Sequence, residues 1–116
     1  MPQQIDVREF QAWAEQSANA PTEERPLLLD VREPWEVATA VIQMEGLDVQ
    51  HIVMHEIPQR LAELPSDRPI VCVCHAGVRS MQVAAFLERQ GFDRAINLAG
   101  GVDAWSVVVD PTVPRY

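Results

Sequence analysis

Leu27-Leu28-Leu29-Asp30-Val31 turns no polar face to water until its end. A strand of this pattern has to be covered on both sides, which places it inside a parallel sheet rather than on the open face of an antiparallel one. Pro69-Ile70-Val71-Cys72-Val73 is a second apolar strand run, Ala95-Ile96-Asn97-Leu98 gives a shorter strand, and Asp48 to Met54 alternates before its apolar residues become continuous. Helical spacing fills the gaps. Asp6 and Glu9 form a capping-box pattern ahead of Val7, Phe10 and Trp13, which predicts a helix from Asp6 to about Ser17. Pro34 suits the first turn of a short second helix, with Glu33 and Glu36 favouring its positive end. Helices are also expected over Ile57 to Leu64, over Met81 to Gln90 with Gly91 closing it, and from Val102 after the Gly100-Gly101 turn. Four strands alternating with helices predict an α/β, three-layer fold: a mainly parallel central sheet flanked by helices. Residues 107–116, apolar but broken by Pro111 and Pro114, are expected as an extended tail on the surface.

A chain of 116 residues is read as one domain over 1–116. Its formal net charge of −8 argues against nucleic acid and anionic membranes as partners, so an anionic substrate needs a local positive pocket. The first residues lack a basic and apolar leader pattern and no run is long enough to span a bilayer, which suggests a cytoplasmic protein. Cys72 and Cys74 lie two apart on a strand, with Cα atoms about 6.6 Å apart and parallel side chains. A disulfide needs Cβ atoms within about 4.5 Å, so both are expected as free thiols.

In open α/β sheets, ligands bind beyond the carboxyl ends of strands, where both Cys74 and Asp30 belong. Cys74-His75-Ala76-Gly77-Val78-Arg79-Ser80 joins a strand to a helix. Gly77 lets the backbone curl so that successive N–H groups point inward, Ser80 is placed to cap the helix, and Arg79 brings a fixed cation. Such a cup stabilises a thiolate or a larger sulfur anion, whereas a cysteine that merely fills a strand end needs none of it. Cys72, one strand pair deeper, reads as a core thiol rather than a resolving cysteine. Asp30 and Arg32 form either an ion pair bracing the loop or strand-end charges facing water. No metal or cofactor is expected.

The chain resembles the single-domain rhodanese sulfurtransferases in three stretches: Leu29 to Glu36, the loop Cys74 to Ser80, and Gly100-Gly101-Val102-Asp103-Ala104-Trp105. The resemblance implies a rhodanese fold and a cycle in which Cys74 takes a sulfane sulfur from thiosulfate or a persulfide. The persulfide on Cys74 then passes its sulfur to a thiophilic acceptor, cyanide or a thiol. His75, Ala76, Gly77, Val78, Arg79 and Ser80 would form the cradle. The segment Ala40 to Ile52 departs from the family, which often has a Gly-His-Ile-Pro-Gly-Ala type sequence there. His75 stands where members favouring thiosulfate often carry Arg or Lys, which points toward a protein persulfide as donor. Two other readings compete. A cysteine-dependent phosphatase or arsenate-reductase-like enzyme has a longer loop, whereas only four residues separate Cys74 from Arg79 here. A non-enzymatic binding module has no need of the nucleophile present here, whereas a sulfur carrier within a larger pathway would use it.

Overall fold

In the computed structural model, which describes residues 2–116, the doubly covered runs lie at the centre of one sheet. Its strands are β1 (Gln3–Ile5), β2 (Leu27–Asp30), β3 (Asp48–His51), β4 (Ile70–Val73) and β5 (Ala95–Leu98), ordered β1-β5-β4-β2-β3. Every pairing is parallel. All residues of β2, β4 and β5 are buried, Asn97 of β5 included. Pleating sends Val71 and Val73 to one face, where they meet Phe10 and Trp105, and sends Ile70 and Cys72 to the other, toward Ile57 and Leu87. Helices therefore cover both faces, giving the three layers.

Helix α1 (Val7–Gln16) starts on the Asp6 and Glu9 capping box, and α2 (Pro34–Thr39) has its proline in the first turn. Helix α3 runs from Val78 to Arg89, and α4 from Gly101 to Ala104. No helix among the described residues is long and apolar enough to cross a membrane.

The structure corrects the expected elements in four places. A fifth strand, β1, pairs with β5 through Gln3, Gln4 and Ile5. Met54–Glu63 is 3-10 rather than α-helical, interrupted by non-helical backbone at Arg60 and carrying Pro58, whose ring supplies no N–H to an α ladder. Helix α3 begins at Val78 instead of Met81, because Gly77 at φ 105° turns the chain into the helix directly. After α4 the helical path continues as a wider π turn over Trp105–Val109, held by the Asp110 N–H on the Trp105 carbonyl. The chain then turns again, Val113 N–H on the Asp110 carbonyl, to bury Val113 in the core, so the expected extended surface tail from Val107 is not what forms.

Candidate active site

Cys74 follows the last residue of the central strand β4, and its residue surface is 1% exposed. The sulfur accepts hydrogen bonds from the backbone N–H of Gly77 at 3.2 Å and of Ser80 at 3.3 Å, and the Ser80 hydroxyl lies 3.2 Å away. Burial opposes ionisation of the thiol. The Ser80 hydroxyl and the N–H groups of Ser80, Gly77 and Ala76 outweigh it and hold Cys74 below its ordinary value. Cys72 shares the face but has none of these donors, and burial pushes it up to about 12. Both cysteines are free thiols.

The loop's carbonyls are tied off on its far side. Val102 N–H donates to the Cys74 carbonyl and Asp103 N–H to the His75 carbonyl, each at 3.0 Å. This approach depends on Gly101, where a Cβ would collide with both carbonyl oxygens. With these two carbonyls engaged outward, the backbone contacts the loop makes to the sulfur come from N–H donors. Ser80 does not cap α3 as expected: it sits within the first turn, fully buried, with its hydroxyl toward Cys74 and Asn97.

Around the mouth, Arg79 is the loop's cation but is not free. Its guanidinium makes a bidentate pair with Glu36 of α2 at 2.7 and 2.8 Å, and Glu36 is buried. Hydrogen bonding from Arg79 holds the Glu36 carboxyl down at about 2 against the cost of burial. Tyr116 O–H donates to the same carboxylate at 2.8 Å and accepts from Arg32 at 3.0 Å. Arg32, fully buried, closes the chain of contacts on Asp30 at 2.7 Å. Asp30 and Arg32 therefore form an ion pair and do not face water; they reach the loop through Tyr116 and Glu36. The Tyr116 ring stacks on His75 with centroids 4.2 Å apart, and beside them His75, Ala76, Asp103, Arg115 and Tyr116 line a hollow of about 380 Å³. Val78 is 70% exposed on the rim.

The family model of the Rhodanese-like domain matches residues 10–107. The chain belongs to the rhodanese-like domain family. A sulfurtransferase of Allochromatium vinosum is 44% identical over 80 residues, covering 69% of this chain and 71% of that protein. Thiosulfate sulfurtransferase GlpE of Pseudomonas syringae is 33% identical over 99 residues, covering 85% and 90%. The crystal structure of SSP1007 from Staphylococcus saprophyticus superposes with a TM-score of 0.72 at 29% identity, over 98% of this chain and 99% of that one. The α/β architecture with its parallel sheet is thus the rhodanese fold.

Within this rhodanese-like domain, sequence reasoning brought Cys74 through Ser80 to one place but missed Glu36, Tyr116 and Asn97. Glu36 reads locally as a first-turn acid, and its pairing with Arg79 spans 43 positions. Asn97 did carry a signal: a polar side chain in a doubly covered strand must find buried partners.

Proposed function

We propose that this rhodanese-like domain, acting as one domain over residues 1–116, is a sulfurtransferase that carries sulfane sulfur as a persulfide on Cys74. The observation that carries this reading is the sulfur of Cys74 held at the end of β4 by N–H donors from Gly77 and Ser80. The thiolate attacks the outer sulfur of the donor; the donor's S–S bond breaks, and its electron pair leaves on sulfite from thiosulfate or on a thiolate from a persulfide. An acceptor thiolate or cyanide then attacks the outer sulfur of the Cys74 persulfide, and the Cys74 thiolate departs. Gly77, Ser80 and Ala76 stabilise the anion at each stage, and His75 and Val78 line the approach.

The pairing of Arg79 with Glu36 favours a persulfide donor over dianionic thiosulfate, because the loop's cation is already answered. The same pairing counts against a phosphatase, which needs that guanidinium on the phosphate. Asp30 and Arg32 support the site by fixing Tyr116. The test is intact mass after incubation with a glutathione persulfide or with thiosulfate, on the unmodified protein and on Cys74→Ser. One added sulfur atom, absent from Cys74→Ser, is the expected result, with faster loading from the persulfide. No adduct on the unmodified protein, or an equal adduct on Cys74→Ser, would end the proposal.

A further inference from the structure

Ser80 has one hydroxyl proton and two acceptors within reach. Its Oγ lies 2.6 Å from Asn97 Oδ1 and 3.2 Å from Cys74 Sγ. The Asn97 amide has no freedom to relieve the choice. Its Nδ2 donates to the Gly77 carbonyl at 3.2 Å and to Gln4 Oε1 at 3.0 Å, so its oxygen has to face Ser80.

With Cys74 as a thiol every group is satisfied: Ser80 O–H donates to Asn97, and the S–H donates to a lone pair of Ser80 Oγ. When the thiol loses its proton to solvent, a hydroxyl still aimed at Asn97 would turn that lone pair toward a negative sulfur. The hydroxyl proton swings to the sulfur instead, and Asn97 Oδ1, in a residue 1% exposed, loses its donor.

We propose that Asn97 is a positioning residue that competes with the Cys74 sulfur for the single Ser80 proton, and so sets how readily Cys74 ionises. The inference rests on Cys74 being the reacting thiol of the proposed sulfurtransferase. A thiolate held too firmly is a poor nucleophile, since intrinsic nucleophilicity falls with pKa. Asn97 keeps the donor-rich cup from going that far. The other titratable groups that bear on the sulfur are Arg79 on α3, paired with Glu36 of α2, and Cys72 on β4. Asp30, at the end of β2, and Arg32 are paired with each other, and Arg32 also donates to Tyr116. Cys72 is the register partner of Asn97 across β4 and β5, and burial keeps that thiol protonated, so it brings no charge to the amide.

The experiment is a double-mutant cycle. Asn97→Ala and Asn97→Leu are made alone and with Ser80→Ala, and the midpoint of Cys74 ionisation is read from thiolate absorbance and from the pH dependence of iodoacetamide alkylation. Cys72, buried and titrating far higher, stays silent. Each Asn97 variant should lower the midpoint by about half to one pH unit, roughly three- to ten-fold more thiolate below it. Ser80→Ala alone should raise the midpoint, and on that background the Asn97 variants should produce no fall. An equal fall in both backgrounds, or none in either, overturns the proposal. In the unmodified protein the ¹³C shift of the Asn97 side-chain carbonyl should titrate together with Cys74 and do so no longer in Ser80→Ala; a shift that stays flat overturns the proposal without any Asn97 variant having to fold. Because no sulfur transfer is measured, failure here leaves the persulfide reading standing, and a protein that shows this coupling yet takes no sulfur refutes that reading alone.

Discussion

Glu36→Gln removes a charge that the fold has buried against Arg79 while keeping the side chain's shape. In the folded state the carboxyl sits at about 2 against an ordinary 4.5. At about 1.4 kcal/mol per pH unit, that difference is worth ~3 kcal/mol in favour of the charged form. The Arg79 side chain is 35% exposed, and solvent screening reduces the contribution to ~2 kcal/mol. Because the folded-state value is depressed, this stability is fully present above about pH 4.5 and is lost as pH falls toward 2. Glu36→Gln should therefore melt about 8 °C below the unmodified protein at pH 7, and the gap should close on acidification to pH 2. Differential scanning calorimetry across that range measures it. The same substitution frees the Arg79 guanidinium at the mouth of the loop, so kcat/KM for thiosulfate should rise relative to that for a persulfide donor. A melting gap that stays constant from pH 7 to pH 2, or no gap at pH 7, would refute the electrostatic reasoning. An unchanged donor ratio would refute the link between Arg79 pairing and donor choice.

Cys72→Ala should leave sulfur loading and turnover largely intact, and iodoacetamide should still find one fast thiol at neutral pH by mass spectrometry; a loss as large as that of Cys74→Ser would restore a two-thiol mechanism. Gly101→Ala places a Cβ against the Cys74 and His75 carbonyl oxygens at a backbone φ of 59°. It should cost about 2 kcal/mol or more in urea unfolding and slow alkylation of Cys74, whereas Gly91→Ala, with φ 97° and open space around the new carbon, should show only the backbone cost of about 1 kcal/mol.

What could be read from the chain beforehand follows from how local each cause is. Pro34 and the Asp6 and Glu9 pair act within one helical turn, so α1 and α2 were legible. The apolar runs of β2 and β4 require burial whatever surrounds them, which made the parallel sheet legible too. Strand β1 is different: Gln3 and Gln4 have no strand signature of their own, and what makes them a strand is the neighbouring edge of β5. Cys74 declared itself through Gly77 and Arg79, yet Arg79 looked like a free cation because its partner lies in another element and is fixed in turn by Tyr116, 80 positions away from Glu36. Ser80 looked like a cap because serine before a helix often is one. Gly77, by entering the helix three residues earlier than expected, moved the hydroxyl from the helix end to the sulfur.

The contact between Gly101 and the two carbonyls has a consequence for engineering. The diameter of the sulfur-binding ring belongs jointly to the segment after β4 and the segment after β5, clamped by the N–H groups of Val102 and Asp103. A residue inserted into the loop has to leave the Cys74 and His75 carbonyls on that clamp for the ring to keep its shape. Transplanting the seven-residue stretch Cys74 to Ser80 into another scaffold would fail for the same reason unless the glycine pair travelled with it. The size of the ring around the Cys74 sulfur is thus a property of two strands' ends together, and a designer has to recut both at once.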